Sequence, residues 1–211
     1  MVGNNAWVKF VTEKIERDYP NLTVYGYKLI SPDTIDYNCI AWAAEDDETW
    51  WWPDIQHQYY WPPGIPKEET LEAFQEVYKM LGYEVCQGDV LEEGFQKIAI
   101  YTNYNKVPTR VARQLPTGKW TSKLGSLEDI EHNNLQGLTG NPGYGEVACI
   151  LKKQLQWRKY LAQSNYQANL KSDRLTMTNW QERITQNPNI CYVSETLRDR
   201  KACRKLIYSS A

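Results

Sequence analysis

Residues 97–102, 109–115 and 119–124 are rich in β-branched and aromatic side chains, and only Asn103-Tyr104-Asn105-Lys106 and Pro116-Thr117-Gly118 separate them. Links that short reverse the chain, so the three stretches are expected to pair as an antiparallel meander, with residues 83–86 as a fourth short strand. The flanking segments carry helical periodicity. Residues 5–18 place Trp7, Phe10, Val11 and Ile15 on one stripe, and Pro20 pushes its predecessor out of helical geometry and closes that helix. Residues 23–30 read as a strand. A short helix over 37–45, with Asp36 as its N-cap, is followed by an aromatic loop. Residues 68–81 form a second helix, with Leu71, Phe74, Val77 and Tyr78 inward and Gly82 at its C-cap. Ser126, with Asp129 in the capping-box position, predicts a helix reaching residue 136. A glycine-rich turn over 137–145 then leads to a long helix ending near residue 164, and further helices are expected over 173–186 and 194–206. The expected fold class is α+β.

Charge divides the chain. Residues 1–150 hold 12 Lys or Arg against 22 Asp or Glu, a net of −10, whereas residues 151–211 hold 12 against 4, a net of +8. Two units are therefore expected, an acidic α+β domain over 1–150 and a basic helical extension over 151–211. The extension either packs on its acidic neighbour or meets an anionic partner. A nucleic acid remains one candidate, although no nucleic-acid motif accompanies the charge.

No stretch approaches the roughly 20 apolar residues of a membrane span, so no membrane contact is expected. The first residues have neither a basic start nor an apolar run, which gives no sign of a secretory signal. The five cysteines (Cys39, Cys86, Cys149, Cys191, Cys203) are odd in number and scattered. They form neither a disulfide framework nor a metal pair, and a reduced, cytoplasmic setting follows as the expectation, with no metal and no cofactor. Nine Trp and fifteen Tyr stand against three Phe. Rings with a polar tip suit half-exposed surfaces such as grooves and interfaces.

Cys39 is the best-placed nucleophile. At the third position of a helix capped by Asp36, its sulfur would sit in the positive end of the helix dipole, which favours the thiolate. The bland reading is that Cys39 is a small buried hydrophobe. A nucleophilic Cys needs a base, and the chain has two histidines, His57 in the aromatic loop and His132. Residues 45–66 hold Trp50-Trp51-Trp52-Pro53 and Tyr59-Tyr60-Trp61-Pro62-Pro63-Gly64, a loop that serves either as a groove wall or as a structural plug. The turn 141–145 lacks the Gly-x-x-x-x-Gly-Lys spacing of a phosphate loop.

The strings Asn38-Cys39-Ile40-Ala41-Trp42-Ala43, Trp50-Trp51-Trp52-Pro53, Lys97-Ile98-Ala99-Ile100-Tyr101, Ala112-Arg113-Gln114, Gly118-Lys119-Trp120-Thr121-Ser122-Lys123-Leu124-Gly125 and Asp129-Ile130-x-His132 together resemble a bacterial family of uncharacterised domains frequent in cyanobacteria. The resemblance spans about residues 30–155, and the pattern is similar to compact papain-like amidases and peptidases. It implies a cysteine helix packed on a small antiparallel sheet, an amide-bond hydrolase with Cys39 as nucleophile, and a peptide or protein as substrate. It also implies a His at position 110, where this chain has Arg110. Arg stays protonated and cannot act as a base, although it can hold a thiolate by charge or bind a carboxylate.

Two functions follow as expectations. In the first, Cys39 attacks, His132 takes the proton, Ser122 or Lys123 orients or steadies charge, and the helix N-terminus supplies oxyanion donors. In the second, the reaction is lost because of Arg110. A partner is then bound through Trp42, Trp50, Trp51, Trp52, Trp61 and Trp120 and through the basic C-terminal helices.

Overall fold

The computed structural model describes residues 3–155. A seven-stranded, wholly antiparallel sheet dominates it, in the order β1-β6-β5-β4-β3-β7-β2. In chain order the elements are α1 (Gly3–Asp18), α2 (Asn21–Tyr25), β1 (Tyr27–Leu29), α3 (Cys39–Ala43), α4 (Leu71–Met80), β2 (Glu84–Cys86), β3 (Phe95–Thr102), β4 (Pro108–Gln114), β5 (Trp120–Lys123), β6 (Asp129–His132), a 3-10 turn (Leu135–Leu138) and β7 (Glu146–Gln154). The class is α+β with sheet predominating, and the β3-β4-β5 meander lies at its centre. The first unit of the chain closes at Gln154. The helices expected over 173–186 and 194–206, with most of the basic extension, lie outside the described residues.

Successive side chains of a strand point to opposite faces, and the sheet uses both. On one face Ala99, Tyr101, Ala112, Trp120, Leu124 and Ile130 pack with Val11 and Ile15 of α1 and with Leu135, Leu138 and Tyr144. Phe10, expected on the same stripe, is 67% exposed instead. The other face carries α3 and α4. Trp42 Nε1 donates to Thr121 Oγ1 at 3.3 Å, and the Tyr78 hydroxyl ties α4 to α3 through the Ile40 carbonyl at 2.9 Å. Thr70 caps α4, and Phe74, Val77 and Tyr78 are buried as the spacing predicts.

Three expectations are corrected. Residues 21–25 form helix α2, not a strand, because Pro20 adopts helical angles and opens a turn that buries Leu22. Gly26, at φ 83°, then releases the chain into the much shorter β1. Residues 129–132 form β6, not the middle of a helix. Asp129, Ile130 and His132 are buried there, and β6 pairs on both sides, with β1 and β5. Two ladders outweigh one capping box. Finally, 146–154 is strand β7, wedged between β3 and β2. Its run Val147-Ala148-Cys149-Ile150-Leu151 has no period that separates a strand from a buried helix. Gly145 permits the sharp entry to β7, because a Cβ there would run into the Thr102 carbonyl.

Candidate functional site

The N-cap of α3 is Asn38, not Asp36, so Cys39 is the first helical residue rather than the third. Asn38 is buried and extended, and its Oδ1 accepts from the Ala41 N–H at 3.1 Å. Its Nδ2 donates to the Trp51 carbonyl at 2.6 Å, which ties the aromatic loop to the start of the cysteine helix. Only a side chain that both accepts and donates fills this place.

Cys39 is 2% exposed. Burial pushes its thiol up, against the pull of the Arg110 guanidinium and of the N–H groups of Val111, Cys39 and Ile40. Desolvation wins, so the dipole expectation of a lowered pKa is corrected. The cation whose field acts on the thiol is Arg110, near the start of β4, which pairs with Tyr101 and so stands on the α1 face of the sheet. Its Nη1 donates to the Thr109 carbonyl at 2.7 Å, and its Cζ lies 5.7 Å from the Tyr144 ring centroid.

His132 is elsewhere. It pairs with Trp120 across β5–β6, and Trp120 packs under α1. Thr121, one residue on, points to the opposite face, toward Trp42 of α3. Ser122 and His132 thus share the α1 face, with Ser122 Oγ 3.0 Å from His132 Nε2. His132 Nδ1 lies 2.7 Å from the Asn134 carbonyl, which assigns the proton to Nδ1 and makes Ser122 the donor to Nε2. Burial pushes the imidazole down to about 4. The sheet therefore separates the expected base from the expected nucleophile. His57 is exposed in the loop, at φ 57°, and its Nδ1 accepts from Lys67 at 2.6 Å.

Lys123 does share the α3 face. It is fully buried, its ammonium donates to the Leu127 carbonyl, and it lies 5.2 Å from the Tyr37 ring centroid. Burial pushes it down, opposed mainly by Asp129, its cross-strand partner. Asp129 Oδ2 accepts from the Tyr37 hydroxyl at 2.6 Å and from Ser31 Oγ at 2.7 Å. Burial pushes its carboxyl up. The sequence misses Tyr37 and Asp129 as polar groups beside the cysteine helix. The alternation of 129–132 between sheet faces is the signal that would have found Asp129.

The aromatic expectation divides. Trp42, Trp51, Trp61 and Trp120 are interior and leave little ring surface for a partner. Trp42 stacks on Tyr37 at 5.6 Å and lies 4.4 Å from the Arg113 guanidinium. Trp51 Nε1 donates to Asp46, and Trp61 Nε1 to the Pro66 carbonyl. Trp50 and Trp52 are half-buried. With Tyr59 and Tyr60, each 44% exposed, and Ile55, 81% exposed, they form the loop's outer surface. Trp50 and Tyr59 meet at 6.0 Å between ring centroids.

Among the described residues no group of three or more His, Cys, Asp or Glu could hold a metal ion, and no helix is long and apolar enough to cross a membrane. A family model, Domain of unknown function (DUF7689), matches residues 28–152. No curated protein and no solved structure gives a match.

Proposed function

The chain belongs to the DUF7689 family, and from that premise we propose that it is a protein-interaction module, built on the frame of a papain-like cysteine hydrolase but without its reaction. The observation that carries this reading is that the sheet separates Cys39 from His132. A cysteine at the first turn of a helix on an antiparallel sheet is a nucleophile when a base faces it. Here the charge that acts on the thiol is a permanent cation, and the thiol is desolvated and pushed up. His132, turned to the other face and already committed at both ring nitrogens, supports no proton transfer from Cys39.

The test is thiol labelling of the full native chain with iodoacetamide at pH 6, read site by site by mass spectrometry. Cys86, which is half-buried, is expected to react at least about tenfold faster than Cys39. A Cys39 that outpaces Cys86 would return the reading of Cys39 as an activated nucleophile and would reject the inactive module.

The partner, a peptide or protein, is taken to meet the outer aromatic surface of the loop. Rings half-covered by their neighbours give large contact area with little entropy left to lose. The double substitution Trp50→Ala with Tyr59→Ala is expected to cost roughly 1 kcal/mol of stability at most, because neither ring is interior. Peptides selected on the wild-type chain are expected to bind that variant at least about tenfold more weakly. Equal binding would move the partner site off this surface.

A further inference from the structure

Arg110 differs from the other buried cations of the sheet in having no acid. Arg113 faces Glu45 at 3.9 Å, Lys97 faces Glu92 at 3.7 Å, and Lys123 lies beside Asp129. Arg110 has no carboxylate within ion-pairing distance among the described residues. The groups around it are Cys39, Tyr144 and Tyr19, all neutral at pH 7 because burial pushes each of them up. One of its five donors reaches the Thr109 carbonyl, and its Nε is buried without a partner. Withdrawing a guanidinium from water costs several kcal/mol unless an anion and hydrogen bonds replace the lost hydration.

The side chain is half-buried rather than sealed, so an anion can reach it. Gly125, at φ 69°, lies beside the fork, where even an added Cβ would make only an ordinary contact of 3.8 Å with Arg110 Nη2. Asn38, next to Cys39, holds the Trp51 carbonyl, which ties the start of the aromatic loop to the cysteine helix whose thiol feels the Arg110 charge. The cation is single and planar, and Lys123, the nearest alternative, is held by Leu127 and Asp129. One planar unit charge matches a carboxylate rather than a phosphate dianion. With a net of −10 over residues 1–150, the domain repels anions at long range, so anion binding to it would report a built site rather than a basic surface.

We propose that Arg110 is the receptor for a carboxylate of the bound peptide. This inference rests on the binding reading above, and its test addresses Arg110 rather than Cys39 or Trp50. The full chain is titrated with acetyl-tri-alanine bearing a free C-terminus, with the same peptide amidated, with amidated acetyl-Ala-Glu-Ala, and with inorganic phosphate. The amide resonances of Val111 and Gly125 are followed by NMR.

Saturable shifts with the free C-terminus, or with the glutamyl peptide, are expected, and which of the two binds tells terminus from side chain. The amidated tri-alanine is expected to leave both resonances in place. Arg110→Gln is expected to weaken binding at least about tenfold. Arg110→Lys, which keeps the charge but loses the fork, is expected to weaken it at least about threefold and serves as the readout if the Gln variant fails to fold. Equal shifts from the amidated peptide, undiminished binding by the Lys variant, or a response to phosphate without one to carboxylate would each overturn the proposal. Rapid labelling of Cys39 alone would reject the inactive-module reading and leave carboxylate binding standing.

Discussion

Asn38→Ala is expected to lower the stability of the domain by about 3 kcal/mol. Two buried hydrogen bonds disappear together. The cap to the Ala41 N–H accounts for about 1 kcal/mol, a typical N-cap loss. The Trp51 carbonyl is left buried without its donor, at a cost of about 1–3 kcal/mol. The sum corresponds to a fall in Tm of roughly 6–12 °C for a chain of this length. Asn38→Asp separates the two contributions. At an ordinary exposed N-cap, Asp serves as well as Asn. Here Asp keeps the acceptor but sets a carboxylate against the Trp51 carbonyl, so it is expected to be at least as damaging as Ala. Urea unfolding of the three proteins at pH 7 decides the matter. An Asp variant as stable as wild type would mean that the tie to Trp51 contributes nothing.

Asn38 also illustrates what the sequence could and could not say. That a helix begins near Cys39 was legible, and so was the meander over β3, β4 and β5, because turns and alternation are local signals. The choice of cap was not. Asp36 and Asn38 are equally good caps by type, and what selects Asn38 is Trp51, thirteen residues away, which needs a donor. The same holds for β6 and β7. Asp129-Ile130-Glu131-His132 has a helix-compatible composition, and only β1 and β5, lying on either side of it, make it a strand. The face on which His132 stands depends on that register, since a one-residue slip would turn it toward α3. For the same reason the tryptophans could not be sorted from composition. Trp51 is interior and Trp50 is not, because Asp46 and the Trp51–Tyr60 bridge fix the pleat of the loop.

Acidification supplies the second large effect. An imidazole in the unfolded chain titrates near 6.5, whereas burial holds His132 down to about 4 in the native state. Between those values the unfolded chain binds a proton that the folded one does not. Stability from this group is therefore complete above pH 6.5 and falls as the pH drops toward 4. At 1.36 kcal/mol per pKa unit, moving from pH 7 to pH 4.5 is expected to cost about 2–3 kcal/mol. Asp129 acts with the opposite sign. Its carboxyl is pushed up by burial, so protonating it at low pH relieves a cost in the folded state. Subtracting a variant isolates the imidazole. His132→Gln retains one donor for the Asn134 carbonyl and one acceptor for Ser122 but does not titrate. It is expected to be less stable than wild type at pH 7, with the difference narrowing by about 2–3 kcal/mol at pH 4.5. Chemical unfolding of both proteins across pH 4.5–7 measures that difference directly. Parallel curves would show that His132 carries the same charge folded and unfolded, and would reopen it as a group able to exchange protons within the fold.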